Sequence, residues 1–237
     1  MSRSVLSPIT RLFRPSQPPW ACEFTSRHVI VAGVDSSHKK IAGRTAEPLP
    51  GDAIVASLAE KNLRDSRAVL EITAEALRRA GARGFEISVV IPDDSSRISF
   101  VTAETLPAKS EDREAFVRWK LKKSVPFDVD EAQIAYHVLG PTRSTDEKGM
   151  DLMVAMSPRS IVEEYEELLE KLDIHAGNVV PSSVAAMNLY PAAAPGSRPE
   201  DVLFVKIGPD SIATMVFQDD RPRFYRRVAD MSLYDAV

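Results

Sequence analysis

The sequence predicts an α/β protein of two layers, with a small α+β unit inserted into it and a further group of strands after a linker. Three observations carry this. Before residue 102 the apolar pattern runs strand, strand, strand, helix, strand, and after residue 148 it runs strand, helix, helix. Between them, residues 106–140 hold an LP turn, an amphipathic helix, a VPFDVDEA link and a strand, in that order. Residues 191–199 are rich in Pro, Ala, Gly and Ser, which marks the clearest boundary in the chain.

The elements follow in order. Pro15, Pro18 and Pro19 close an N-terminal tail, residues 1–19. Val5, Leu6, Ile9, Leu12 and Phe13 could line one helical face there, but Pro8 falls inside it, so the segment reads as a disordered tail, with a weak membrane-surface foot as the alternative. CEFTSRHVIVAGVD, from Cys22, reads as two strands around a polar turn, and residues 35–38 as the next turn. Residues 49–63 connect. Ser66 then caps a helix whose Val69, Ile72, Ala76, Leu77 and Ala80 recur at helical spacing, and Gly81 ends it. Residues 87–91 and 98–101 are strands, with Pro92, Asp93 and Asp94 turning between them. The adjacent acids suggest a paired-carboxylate site, yet Asp is a standard turn residue and a solvated turn explains them.

In the inserted stretch, Ser110 can cap a helix with an acidic first turn (Glu111, Asp112, Glu114) and a basic last turn (Lys120, Lys122, Lys123), which suits both ends of the helix dipole. Pro126 stops it. Phe116 and Trp119, with Val117 and Leu121, give it an apolar side, and Ile134, Tyr136 and Val138 alternate with Ala135 and His137 as a half-buried strand does. After a polar loop, residues 152–156 form a strand expected to join the sheet of Val29 and Val89. Ser157 and Pro158 read as N-cap and first helical residue; Ile161, Tyr165, Leu168 and Leu172 face inward, leaving Glu163, Glu164, Glu166, Glu167 and Glu170 as a solvated face. Ser182 and Ser183 open a small-residue helix. Past the linker, residues 202–207, 212–217 and 223–228 are strands without later helices to cover them. Leu203, Val205, Ile212 and Val216 are therefore expected to leave an apolar face exposed, and the last forty or so residues to be weakly held.

One ordered set of features resembles a known family: Leu106-Pro107, the helix to Ser124, Val125-Pro126-Phe127, Glu131, and the strand from Ala135 through Tyr136 to Leu139, followed by the helix IVEEYEELLEKL. Together they resemble the type IV pilus assembly protein PilM family, over about residues 20–228. The resemblance implies an actin-like (ribonuclease-H-like) fold. Residues 20–101 and 148–195 would form its first subdomain, 102–147 the inserted small subdomain, and 196–237 the start of an incomplete second lobe. It also places two phosphate loops. Against the family's L-D-I-G-S, Glu23 stands at the Asp, Thr25 at the Gly, and Ser26 matches; against D-I-G, Lys206 stands at the Asp and Gly208 is kept. A lysine for a metal-binding acid, and a β-branch where phosphate must approach closely, imply degenerate loops, so no cofactor is expected although ATP with magnesium belongs to the family. The implied partner is the cytoplasmic tail of a PilN-like inner-membrane protein. It would lie in a groove where the inserted unit meets the main one, with Phe116, Trp119, Phe127 and Tyr136 as candidate contacts; the alternative is that Phe116 and Trp119 pack the unit's own sheet. The implied role is a cytoplasmic scaffold, peripheral to the inner membrane through its partners. Two alternatives stay open: an active ATPase with Glu23 and Lys206 in altered roles, and the cytoplasmic part of a type II secretion L-type protein.

Composition excludes other classes. A net charge of -4 without a cluster of Lys and Arg gives no reason to expect nucleic acid. The single cysteine, Cys22, cannot form an internal disulfide and reads as a small buried hydrophobe. No apolar run reaches membrane-spanning length. There is no Gly-rich nucleotide motif and no nucleophile elbow, and His28, His38, His137 and His175 have no partners at metal-ligand spacing.

Overall fold

The computed structural model describes residues 18–35, 37, 40–142, 149–189, 201–209 and 211–229; the expected N-terminal tail up to residue 17 and the linker at 191–199 lie outside them. Its main sheet contains β1 (Trp20–Phe24), β2 (His28–Val34), β3 (Ile41–Pro48), β4 (Glu86–Ile91) and β8 (His175–Pro181), in the order β3-β2-β1-β4-β8. The first three form an antiparallel meander, and β4 and β8 run parallel to β1. The two-residue period of a strand puts Trp20, Cys22 and Phe24 on one face and Ala21 and Glu23 on the other. Onto the first face pack α1 (Ser66–Ala80), through Val69, Ala76 and Leu77, and α3 (Arg159–Glu170), through Ile161, Tyr165 and Leu169. Tyr165 and Phe24 meet with ring centroids 5.2 Å apart. The close fit depends on glycine: a Cβ on Gly43 of β3 would fall 2.0 Å from the Ala80 carbonyl oxygen at the end of α1. Gly81 closes α1 in the left-handed region, as its sequence position implies, whereas the N-cap is Asp65, which accepts from the Ala68 amide, and not Ser66.

The expectation that residues 152–156 would join this sheet is overturned. β7 (Met150–Pro158) lies between β5 (Arg97–Ala103) and β6 (Ala132–Pro141) in a separate antiparallel sheet of order β5-β7-β6. Leu152, Met153, Val154 and Met156 are all buried, because both faces of this central strand are covered. A continuous apolar run marks a central strand without saying which sheet it belongs to. The inserted sheet thus extends beyond the expected span 102–147 at both ends. On one face lies α2 (Ser110–Leu121), whose Val117 and Leu121 pack on Val101, Leu152 and Val154; on the other, Ile98, Leu139 and Met153 meet α4 (Ser182–Met187) and Tyr225. Two expected caps differ. Lys109 occupies the N-cap of α2, leaving Ser110 Oγ 3.5 Å from the Tyr136 hydroxyl, and Pro158 occupies that of α3, leaving Ser157 within β7 with its Oγ donating to the Ser95 carbonyl at 2.7 Å.

The third sheet is the antiparallel meander β9 (Asp201–Ile207), β10 (Ser211–Gln218) and β11 (Arg221–Ala229). Met215 and Phe217 are buried on its inner face against Val202, Phe204, Met187 and Tyr225. On the outer face Leu203 and Val205 are 64% and 47% exposed, as the sequence implies, and Ile207 and Phe224 extend the patch; Ile212 and Val216 are half-buried. A row of ion pairs fastens this sheet to the body: Lys206 to Asp93 at 2.9 Å, Arg223 to Asp151 at 2.5 Å, and Arg227 to Asp94. Each acid lies on the body and each base on the third sheet.

Candidate functional site

A cleft of about 670 Å³ opens where the main and third sheets face each other. The period of β1 turns Glu23 into it, away from the core side of Cys22 and Phe24. The β1–β2 turn contributes Thr25 and Ser26, the β4–β5 turn Asp93, the start of α4 Ser182, the end of β9 Lys206, and the β9–β10 turn Gly208. The structure therefore brings together all of Glu23, Thr25, Ser26, Lys206 and Gly208. Each acid or hydroxyl has a local task, with one exception. Glu23 Oε1 accepts from Ser182 Oγ at 2.5 Å. Thr25 Oγ1 donates to the His28 carbonyl at 3.0 Å and accepts from the amides of Arg27 and His28, so the side chain closes the hairpin from within. Ser26 Oγ is buried without a partner. Burial, with Glu23 beside it, pushes the Cys22 thiol far above its ordinary range and leaves it unreactive.

Asp93 is the residue that sequence reasoning missed. It is not a solvated turn acid: a short 3-10 turn, Asp93–Ser95, directs it inward, where it is 5% exposed. Its Oδ1 accepts from the Ser183 amide at 2.7 Å, and its Oδ2 from Ser183 Oγ at 2.7 Å and Lys206 Nζ at 2.9 Å. Burial, followed by the charge of Asp93, also raises the Tyr225 phenol. Lys206 shares the inner face of β9 with Val202 and Phe204. A lysine on such a face requires an acid opposite it, and that alternation was the available signal. A divalent cation does not fit this arrangement. Both Asp93 oxygens are engaged, an ammonium stands where a further acid would be required, and no group of at least three metal-ligating residues occurs among the described residues.

A second concavity, about 290 Å³, runs between β6 and β8, each an outermost strand of its sheet. Ile134, Ala135, Val162, Val179 and Val180 line it, and Glu166 stands at it with its carboxyl raised by burial and by Glu163 and Glu170. Phe116, Phe127 and Tyr136 are packed instead in the cluster between α2 and its sheet. Trp119 is 69% exposed, its ring 6.2 Å from that of Phe116. None of the four lines this groove.

A meander followed by two parallel strands, with helices on one face, an inserted small sheet and a cleft between lobes, defines an actin-like protein. Within that class, the chain belongs to the type IV pilus assembly protein PilM family, which matches residues 26–229. Among solved structures it is similar to the PilM–PilN type IV pilus biogenesis complex, with a TM-score of 0.78 and 18% identity, over 93% of this chain and 64% of that one. It is also similar to the cytoplasmic domain of EpsL, an inner membrane component of the type II secretion system of Vibrio cholerae, with a TM-score of 0.52 and 14% identity, over 89% of this chain and 70% of that one. At such identities the likeness shows the fold, and this chain spans 64% of the length of the chain it matches in that complex. No curated protein gives a significant match. Among the described residues no helix is long and apolar enough to cross a membrane.

Proposed function

We propose that this protein is a cytoplasmic actin-like scaffold of a type IV pilus assembly platform, held at the inner membrane by the tail of a PilN-like partner, and that it does not hydrolyse ATP. The groove between β6 and β8 supports the binding role. Two sheet edges flank it, so an extended tail can add its backbone to either edge while an apolar side chain enters among Ile134, Val179 and Val180. The exposed Trp119 is a separate candidate contact, while Phe116, Phe127 and Tyr136 would act by holding α2 in place. The non-hydrolytic role is supported by Lys206, which sits on Asp93 where the family carries an acid.

A peptide with the sequence of the partner's cytoplasmic tail tests the first half by equilibrium titration. Ala135→Arg, at an exposed position of β6, should weaken binding about tenfold or more, the scale of one lost hot spot, with an unchanged melting temperature. Full-strength binding by that variant places the tail elsewhere, and loss in Trp119→Ala alone would move it to α2. A fluorescent ATP analogue in magnesium tests the second half: no saturation is expected at micromolar concentration. Measurable turnover would favour the active ATPase instead.

A further inference from the structure

We propose that Lys206 is a built-in replacement for a divalent cation: its ammonium neutralises the buried carboxylate of Asp93 and joins the lobe of β9 to that of β4, with no ligand needed. The geometry carries this. Asp93 is buried, and apart from Lys206 its hydrogen-bond donors are the neutral amide and hydroxyl of Ser183. A buried carboxylate needs a compensating positive charge, and a nucleotide-binding cleft ordinarily obtains one from a dissociable metal. Here the charge is covalently attached to the opposite wall. Lys206 comes from β9, Asp93 from the β4–β5 turn, Glu23 from β1 and Ser183 from α4, so the ammonium stands where the elements that build the cleft converge. Its side chain is 20% exposed and that of Asp93 1%, which makes the pair well shielded from salt.

A bound metal leaves when its concentration falls, and with it the bond between the walls; a lysine does not leave. The two walls are therefore joined constitutively, and the inference accounts for a charge reversal that would otherwise be only a loss. It rests on the reading of the cleft as non-hydrolytic, but its test uses no nucleotide.

The test is thermal unfolding of the full chain in Mn²⁺ and in chelator, with Mn²⁺ binding followed by electron paramagnetic resonance. The wild type should melt at one temperature in both media and leave Mn²⁺ free. Lys206→Met should melt lower by roughly 5–10 °C, the scale of breaking a largely buried pair in a chain of this size, and should not respond to Mn²⁺. Lys206→Asp places a further hard oxygen ligand beside Asp93, in a cleft that Glu23 also lines, so it should melt low in chelator, recover in Mn²⁺ and bind the ion saturably. If that variant does not fold in chelator, its refolding yield with and without Mn²⁺ gives the same reading. Saturable Mn²⁺ binding by the wild type, an unchanged melting temperature in Lys206→Met, or a Lys206→Asp variant indifferent to Mn²⁺ or unable to fold with it would each overturn the inference. Turnover of ATP by the wild type would instead defeat the non-hydrolytic reading itself, a failure that none of these melting or Mn²⁺ outcomes produces.

Discussion

Glu164 shows how far a periodic reading reaches at the scale of single residues. The spacing of Ile161, Tyr165 and Leu168 identifies the buried stripe of α3 correctly, and it assigns Glu164, on the flank of that stripe, to water. Its Oε2 instead accepts from the amides of Asn62 and Leu63, both at 2.9 Å. Period says which side of a helix faces the core; it does not say which rim residue finds an unpaired backbone group in a distant loop. Asn62 completes the anchor, fully buried and donating to the carbonyls of Ser57 and Glu60. Glu164→Ala should therefore cost roughly 1–3 kcal/mol in urea unfolding, since it strands two donors, while Glu163→Ala on the solvated face should stay within about 0.5 kcal/mol. Equal effects from the two would mean that solvent satisfies those amides. Asp93 was misread for a related reason: a turn-forming residue type describes the backbone and not the direction of its carboxylate. Lys206 was singled out by the family resemblance, as the residue standing at the Asp of D-I-G, although its partner was not; the strand alternation that sets it beside Val202 and Phe204 went unread.

At the scale of elements, most helices and strands were legible from the apolar period, although the N-caps expected at Ser66, Ser110 and Ser157 each lie one residue away from the observed ones. The failure at β7 has a physical cause. A strand buried on both faces loses the alternation that would tie it to one layer, and its pairing with β5 and β6 is a non-local property. Close approaches are equally invisible in sequence. β3 lies against the end of α1, and Gly43 is what permits it, since a Cβ there would sit 2.0 Å from the Ala80 oxygen and 3.1 Å from the Trp20 ring. Backbone cannot move aside as a flexible side chain can. Gly43→Ala should lower stability by roughly 1–3 kcal/mol by overpacking, whereas Gly51→Ala, with nothing within 4 Å of the added carbon, should be neutral or slightly stabilising. Thermal unfolding of both variants decides it; a neutral Gly43→Ala would show that β3 shifts freely away from the helix.

At the scale of the whole molecule, three sheets must be held in one arrangement, and the sequence suggested that the last of them has little to hold it. Its outer face is indeed apolar and exposed at Leu203, Val205 and Phe224. What the sequence did not reveal is the seam of acids on the body and bases on β9 and β11, because ion pairs between distant residues leave no local pattern. Arg223 and Asp151 illustrate its design: their side chains are 15% and 16% exposed, and Thr102 Oγ1 donates to the other Asp151 oxygen at 2.8 Å. Removing one member leaves a charge that is unpaired and only partly solvated. Arg223→Gln should therefore cost roughly 1–3 kcal/mol of local stability, less than a fully buried pair because some solvent reaches this one. In limited proteolysis under conditions where cleavage follows the open population, that loss should speed cutting within residues 211–229 by about tenfold. Molar sodium chloride should do less, since half-buried charges are screened much less than exposed ones. Asp151→Asn paired with Arg223→Gln should recover part of the loss, because no unpaired charge then remains. An unchanged cleavage rate in Arg223→Gln would mean that Met215, Phe217 and their apolar neighbours hold the third sheet without the seam.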